Sequence, residues 1–230
     1  MSILLTGGSG LLGTELQKLR KYLAPSHSEM DITNPKSIEK FIKNKDVTLI
    51  VHCAAFKDQD ASELQKQLCY DTNVMGTLNL VRLKIPVLLV SSDSVFNGEK
   101  GMYKEDDYVD PLNYYCLTKA LAEQSVLASD RHVIVRCSFR KIPFEYPIAC
   151  TDKFVSADYV DKISTYIDDI VRMFHTYPNG IYHIGTRRIS IYDLATQTRE
   201  VKPVLLKDIR LRLPKDVSLD LTKWQKIKGE

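Results

Sequence analysis

The chain is notable first for what it lacks. No apolar run approaches the ~20 residues needed to cross a bilayer, so no membrane-spanning helix is expected. The opening Met1-Ser2-Ile3-Leu4-Leu5 runs into glycines too early to form the apolar region of a secretion signal. The five cysteines (Cys53, Cys69, Cys116, Cys137, Cys150) are odd in number and never fall in CxxC spacing, which argues against a structural metal site and a disulfide framework. Most sit in apolar segments and read as buried free thiols of a cytoplasmic protein. Charge of one sign is not in surplus: 32 Lys and Arg stand against 29 Asp and Glu, a net of +3. A nucleic-acid partner needs a concentrated basic face. The densest basic stretch, Arg199 to Arg212, is broken by valines, leucines and acids and reads as a solvated edge strand and loop. No internal repeat, low-complexity tract or clean linker divides the 230 residues, a length that suits one large α/β domain with a small appendage.

What is present is an alternation of short aliphatic runs and helical patterns. Ile3–Thr6, Thr48–His52, Val87–Ser91 and Val133–Arg136 read as strands. Leu11–Leu19 and a long segment with apolar positions Leu68, Val74 and Leu78 read as helices. Strands apolar on both faces and separated by helices imply a doubly wound, Rossmann-type parallel sheet covered on both sides. Ligands of such sheets lie at the carboxyl ends of the strands. Asn97–Pro111 and Arg140–Lys153 read as irregular loops, and Pro178-Asn179-Gly180 as a turn into a strand at Ile181–Ile184. The expected division is a dinucleotide-binding part over residues 1–137. Residues 138–230 then carry the remaining sheet-edge elements and a small, shortened substrate cap.

Glycines at 7, 10 and 13 stand between the first strand and the first helix. There Gly7 permits a tight turn, Gly10 lets the backbone approach a pyrophosphate, and Gly13 allows close helix packing. The N–H groups of the new helix, including those of Leu11 and Leu12, would then face the phosphates. The second strand is expected near Tyr22–Ala24. No acid follows it immediately to bind a ribose 2′-hydroxyl, and Ser26, His27 and Ser28 are candidate donors to a 2′-phosphate. That pattern favours NADPH over NADH, with NADH left open.

Tyr115 and Lys119 are four residues apart on a predicted helix and so share one face. An ammonium beside a phenol lowers its proton affinity towards neutrality and suits it to proton transfer. Ser92 stands where the Val87–Ser91 strand ends, and there its hydroxyl can polarise a substrate carbonyl. Tyr114 is a competing tyrosine, but only Tyr115 has the four-residue spacing to Lys119.

Further segments surround this set: Asp31-Ile32-Thr33-Asn34-Pro35, Val51-His52-Cys53-Ala54-Ala55, and Val90-Ser91-Ser92-Asp93-Ser94-Val95-Phe96-Asn97-Gly98. Together with the glycine loop and the Tyr115–Lys119 pair they resemble the extended short-chain dehydrogenase/reductases, and within them the dTDP-4-dehydrorhamnose reductases and their sugar-nucleotide relatives. The resemblance implies pyrophosphate contacts at Gly10, Leu11 and Leu12, and adenine contacts at Asp31 and Ile32. It implies a cofactor path lined by Cys53, Ala54, Ala55 and Val90, with Tyr115 and Lys119 at the nicotinamide end. Ser92 and Asp93 would approach the sugar, and Phe139 would take the place of a sugar-stacking tryptophan. The implied activity is NADPH-dependent reduction of the 4-keto group of a nucleotide-linked 6-deoxyhexose.

The sequence departs from the family at several points. Ser92 stands for threonine, Ser94 for tyrosine and Cys53 for alanine, and the stretch from Arg140 to Lys153 is short. A second carboxylate after Asp93 is missing, which argues against a 4,6-dehydratase. A nucleotide-sugar 4-epimerase would keep the same three catalytic residues. A catalytically silent, NADP-binding regulatory or scaffold subunit would keep the fold, as in methionine adenosyltransferase's regulatory subunit. Relatives commonly pair through two helices, so a homodimer is the assembly the resemblance allows.

Overall fold

The computed structural model describes residues 2–210 and 212–229. The chain opens with β1 (Ser2–Thr6), α1 (Leu11–Leu19), α2 (Pro35–Ile42) and β2 (Val47–His52). A broken helical segment follows: α3 (Gln59–Leu64), α4 (Lys66–Tyr70), a π turn (Asp71–Met75) and α5 (Gly76–Val81). Next come β3 (Val87–Ser92), α6 (Tyr114–Leu127) and β4 (His132–Cys137). Beyond them lie four very short strands: β5 (Phe139–Arg140), β6 (Ile148–Cys150), β7 (Phe154–Val155) and β8 (Asp158–Tyr159). The chain ends with α7 (Val160–Arg172), β9 (Gly180–His183), β10 (Ile189–Ser190), α8 (Ile191–Ala195), β11 (Lys202–Val204) and α9 (Thr222–Lys228).

Five strands form one parallel sheet in the order β1-β2-β3-β4-β9. The expected second strand is reduced to one parallel bridge, Leu23 on Leu4, on the edge of β1 away from β2. The chain thus steps outward from β1, then crosses back to β2, and the order reverses between β1 and β2. That reversal opens a crevice at the carboxyl ends of these two strands.

Adjacent strand residues point to opposite faces, and the aliphatic runs use both. Leu5, Val51, Leu88, Val133 and Val135 meet Leu12 and Leu16 of α1 and Ile163, Ile167 and Ile170 of α7. Leu4, Ile50, Leu89 and Ile134 meet Ile38 of α2, Leu80 of α5, and Ala122 and Val126 of α6. This is the doubly wound arrangement expected from the sequence. The long helix is a partial correction: Val74 is buried, but Leu68 is half exposed and the inward face carries Cys69, Asn73 and Thr77 instead. The π turn inserts one residue into the helical repeat, so a regular 3.6-residue pattern loses phase across it.

A second core, away from the sheet, gathers Phe96, Tyr103, Phe144, Val155, Tyr159, Ile191, Leu194, Val217 and Leu219. Its strands are two or three residues long and pair across large sequence gaps, β7 with β10, β6 with β11, and β5 with β8. The stretch Arg140–Lys153, expected to be irregular, therefore contains a strand whose partner lies in the basic stretch near Lys202. A strap over residues 214–220 ties this region together. Phe154 N donates to Lys215 O (2.8 Å) and Val217 N to Phe154 O (3.0 Å), while Asp216 N donates to Gly98 O (2.9 Å) and Tyr103 N to Ser218 O (2.9 Å). Residues 160–183 return to the sheet as α7 and β9, so the second half of the chain serves both cores.

Candidate active site

The glycine loop sits at the mouth of the crevice. Gly7 adopts φ +73°, and a Cβ there would lie 2.6 Å from Ala54 N, so the loop packs directly against the backbone following β2. A Cβ on Gly13 would fall 2.2 Å from Gly7 O, which leaves no room for any side chain between α1 and the loop. Gly10, the N-cap of α1, supplies no side-chain hydrogen bond to the first turn. The leading N–H groups of α1 are thus left for a ligand at the positive end of the helix. Glycine crowding, a bare helix start and a topological switch point fit a dinucleotide pyrophosphate, held by Gly10, Leu11 and Leu12.

Across the crevice, Cys53, Ala54 and Ala55 follow β2 and are partly exposed. They are fixed by a buried network. His52 Nδ1 lies 2.7 Å from Thr6 Oγ1, and Nε2 lies 2.9 Å from Thr77 Oγ1. Thr77 donates its own proton to Asn73 O at 2.6 Å, so it accepts from Nε2–H, and Thr6 donates to the bare Nδ1. Burial, then the Lys119 charge, pushes the His52 ring down to about 3, so it stays neutral. Asn73 completes the frame. Its Oδ1 accepts Phe56 N (2.7 Å), and its Nδ2 donates to Phe56 O (3.1 Å) and to Thr118 Oγ1 (2.8 Å) on α6. Asn73, Thr77 and His52 were missed in the sequence, although two polar residues on the inward face of a helix were a usable signal.

At the adenosine edge, Asp31 caps its own turn through Thr33 N (2.9 Å), and Ile32 is buried against Gly76. Ser26, His27 and Ser28 are exposed. The N–H and Oγ of Ser26 both donate to Glu29 Oε2 at 2.8 Å. These hydrogen bonds hold the Glu29 carboxyl below its usual range. Glu29 lies six residues beyond the Leu23 bridge, too far along the chain for an acid directly after the strand to point to it.

The catalytic candidates gather at the end of β3. Asn113 caps α6 by accepting Cys116 N (3.0 Å), and Glu63 of α3 accepts Tyr114 N (2.7 Å). Tyr114 itself turns outward beneath the Lys66 ammonium, 5.4 Å from its ring. Tyr115 is half-buried on the inner side of the same turn. Lys119, one turn later, is buried and donates from Nζ to Val90 O at 2.9 Å, two residues before Ser92. Ser92 Oγ accepts Ser94 N (3.1 Å) and donates to Asp93 Oδ1 (3.3 Å). The electrostatics differ from the expectation that Lys119 lowers the Tyr115 phenol. Burial pushes that phenol above its usual range, with further rises from Cys116, Asp93 and Cys137. Burial likewise pushes Lys119 down, opposed by Glu123. Burial, with the Asp93 carboxyl acting in the same sense, holds Tyr115 protonated, which suits a proton donor more than a base.

Behind this set, Glu123 continues the spacing begun by Tyr115 and Lys119. Its carboxylate receives Arg136 Nη2 at 2.7 Å and Nε at 3.0 Å, and the Ser91 hydroxyl at 2.5 Å, all fully buried. Just ahead of β7, Lys153 is buried and donates from Nζ to Pro214 O in the strap at 2.5 Å; burial pushes its ammonium down to about 8, with Asp93 acting in the opposite sense. Phe139 is half-buried, packs on the edge of the sheet core and pairs with Asp158 in β8. Nothing in the sequence marks Lys153 as a member of this neighbourhood, and Glu123 is marked only by its helical spacing from Tyr115 and Lys119.

Residues 1–139 match the family described as RmlD substrate binding domain. The chain belongs to this family. A dTDP-4-dehydrorhamnose reductase of Aggregatibacter actinomycetemcomitans is 30% identical over 273 aligned residues, covering 99% of this chain and 93% of that protein. The crystal structure of a hypothetical dTDP-4-dehydrorhamnose reductase from Sulfolobus tokodaii is 29% identical, with a TM-score of 0.83 over 99% of this chain and 94% of that one. A dTDP-4-dehydrorhamnose reductase from Bacillus anthracis, solved in complex with NADP, superposes with a TM-score of 0.87 at 23% identity, over 100% and 94% of the two chains, and shares the fold. The expected family resemblance and α/β class are borne out. Among the described residues no helix is long and apolar enough to cross a membrane, and no cluster of His, Cys, Asp or Glu is arranged to hold a metal.

Proposed function

We propose that this chain is an NADPH-dependent oxidoreductase that reduces the 4-keto group of a nucleotide-linked 6-deoxyhexose, with Ser92, Tyr115 and Lys119 as catalytic residues. The observation that carries this reading is the Lys119 contact on the Val90 carbonyl. It locks the Tyr115–Lys119 face of α6 onto the strand that ends in Ser92, beside the crevice capped by the glycine loop. NADPH supplies the hydride when bound, and the B. anthracis relative in complex with NADP supports that cofactor. Gly7, Gly10, Leu11, Leu12 and Gly13 would hold the pyrophosphate, Asp31 and Ile32 the adenosine end, and Cys53, Ala54, Ala55 and Val90 the path between. Ser92 donates to the substrate carbonyl, Tyr115 delivers the proton to its oxygen, and the Lys119 ammonium stabilises the phenolate left behind. Residues 138–230, with Asp93 and Phe139, would hold the sugar. The five unpaired cysteines support a reducing, cytoplasmic setting.

The test is consumption of NADPH with dTDP-4-dehydrorhamnose, followed by its reduced-nicotinamide absorbance. Tyr115→Phe should lower kcat by roughly 10²- to 10⁴-fold while NADPH affinity in titration stays within about twofold. Equal loss of turnover and cofactor binding would remove Tyr115 from the proton-donor role. Binding of NADPH by the wild type without consumption of any 4-keto sugar nucleotide would make the chain a binder rather than a reductase.

A further inference from the structure

Tyr115, Lys119 and Glu123 follow one another at four-residue steps along α6 and so share its inward face. The first two belong to the proposed catalytic set. The third is a carboxylate only 1% exposed, and a charge buried so deeply must be fully partnered. Its partners come from two neighbouring strands. Oε2 accepts Arg136 Nη2 of β4 at 2.7 Å, while Oε1 accepts Arg136 Nε at 3.0 Å and the Ser91 hydroxyl of β3 at 2.5 Å. Ser91 and Arg136 lie opposite each other in the ladder of β3 with β4. Glu123 thus fastens both strands to α6 at one level, a single residue before Ser92.

Lys119 supplies a second fastening, since its Nζ donates to Val90 O at 2.9 Å. Consecutive turns of α6 therefore hold consecutive residues of β3, and the next residue along the strand is Ser92. Arg136 extends the hold outward. Its Nη1 donates to Glu105 O at 3.3 Å and lies 3.5 Å from His183 Nε2, and its guanidinium lies 5.0 Å over the Phe96 ring. Phe96 and Glu105 lie in the segment that leads from Ser92 to α6, so the same ion pair also holds that connection.

Stability alone does not account for such a pair, because well-packed apolar residues of similar volume generally serve as well. What they could not supply is a fixed anion one turn behind the Lys119 ammonium, roughly 6 Å along the helix axis. Burial disfavours that ammonium, and Glu123 opposes the effect. The other groups acting on Lys119 are thiols: Cys53 after β2, Cys69 on α4 and Cys137 on β4. Burial raises the proton affinity of all three, so they stay neutral. His52 on β2 is coupled to Lys119 and is also held neutral, and the Tyr115 phenol stays protonated. The charge that opposes burial at Lys119 is therefore Glu123.

We propose that Glu123 is a positioning residue for the reaction: by fastening α6 to Ser91 and Arg136, it sets Lys119 and Tyr115 against Ser92 and places a fixed negative charge behind Lys119. The assignment rests on the proposed function above, since it concerns the same three catalytic residues. Glu123 acts through Lys119.

The experiment follows the Lys119 side chain by NMR in the full chain labelled with ¹³C-lysine, its signal identified by its loss in Lys119→Arg. In parallel, kcat for dTDP-4-dehydrorhamnose is measured across pH. Glu123→Gln removes the charge and keeps the shape. It should lower the Lys119 titration midpoint by about one pH unit or more and move the alkaline limb of kcat to lower pH by the same amount. Glu123→Asp keeps the charge and should hold both within about half a pH unit of wild type. Because Glu123→Gln leaves the Arg136 guanidinium unpaired, a second variant combines it with Arg136→Gln. There the two amides can bond to each other and to Ser91, and the shift should be smaller but of the same sign. Retained NADPH binding shows that each variant is folded. The sign separates this role from a merely structural one. If Glu123 only braces the fold, its loss lets water reach Lys119 and the midpoint rises towards its ordinary value near ~10.4. A rise, or no change, in both Gln variants overturns the assignment. A lower midpoint with an unmoved alkaline limb detaches Glu123 from the reaction and overturns it as well. If wild-type protein consumes no NADPH with any 4-keto sugar nucleotide, the proposed function falls and the assignment falls with it. Turnover by wild type with an unmoved Lys119 midpoint in the variants removes the Glu123 assignment alone.

Discussion

The two halves of this molecule are built on opposite principles. In the sheet half, five parallel strands of four to six residues bury aliphatic side chains on both faces. In the second core, pairs of two- and three-residue strands are held by a strap and by aromatic packing, such as Phe96 stacked on Tyr103 at 4.2 Å. The regular half places the proposed catalytic residues on a strand end and a helix start, where backbone hydrogen bonds fix their positions. The irregular half is built from short segments whose pairings cross long stretches of chain and do not involve the sheet's own ladder.

The sharpest way to break that comparison is to remove one charged partner from each half. Glu123→Ala leaves the Arg136 guanidinium uncompensated in a site where both groups are fully buried. It should lower unfolding free energy by about 3–5 kcal/mol. Replacing both residues with apolar ones of similar volume should recover much of the loss. In the second half, Arg188 pairs with Asp216 at 2.8 Å and lies 3.6 Å over the Phe154 ring, but it is largely exposed. Arg188→Ala should cost about 1 kcal/mol or less. Urea denaturation of both variants measures the difference. Similar losses would show that the strap, and not only the sheet, is built on charge.

The same contrast explains what was legible in the sequence. Aliphatic runs such as Val87–Ser91 and the glycines at 7, 10 and 13 announce themselves because local geometry demands them. The spacing of Tyr115 to Lys119 is legible for the same reason, since one helical turn brings them together. The adjoining Glu123 follows the same period and was overlooked because its meaning depends on Arg136, which belongs to another strand. Lys153 was illegible: its placement is set by a carbonyl 61 residues away in the strap. The Leu68–Leu78 pattern misled because a π turn shifts the helical phase. Short strands in Arg140–Lys153 and near Lys202 carry too few residues to show a period.

Acid should distinguish the halves by a smaller effect. His52 on β2 and His183 on β9 are both buried, and burial holds each ring neutral, with proton affinity pushed down to about 3. For His183 the Arg136 charge adds to this. Both belong to the sheet half. Below about pH 6.5 the unfolded chain binds protons that the folded chain refuses, so the stability present above that pH drains as pH falls towards 3. The slope should reach about 1.4 kcal/mol per pH unit for each ring. Denaturant midpoints between pH 7 and 5 measure it, and His52→Gln should remove about half. A slope unchanged by that substitution would mean that the His52 ring takes up its proton while folded.

The smallest expected effect lies at the adenosine edge, where the regular half itself becomes irregular. The absence of an acid directly after Leu23 favoured a 2′-phosphate, with Ser26 among its donors. In the folded chain Ser26 already gives its N–H and its hydroxyl to Glu29. A phosphate approaching this loop must displace that carboxylate and meets its negative charge, whereas a ribose hydroxyl meets an acceptor. Glu29→Gln should therefore raise the ratio of NADPH to NADH affinity by about two- to fivefold, since the group is exposed and screened by salt. The gain should shrink as ionic strength rises. A ratio that does not move would place the 2′ position away from Ser26 and leave Glu29 as a loop-stabilising residue only.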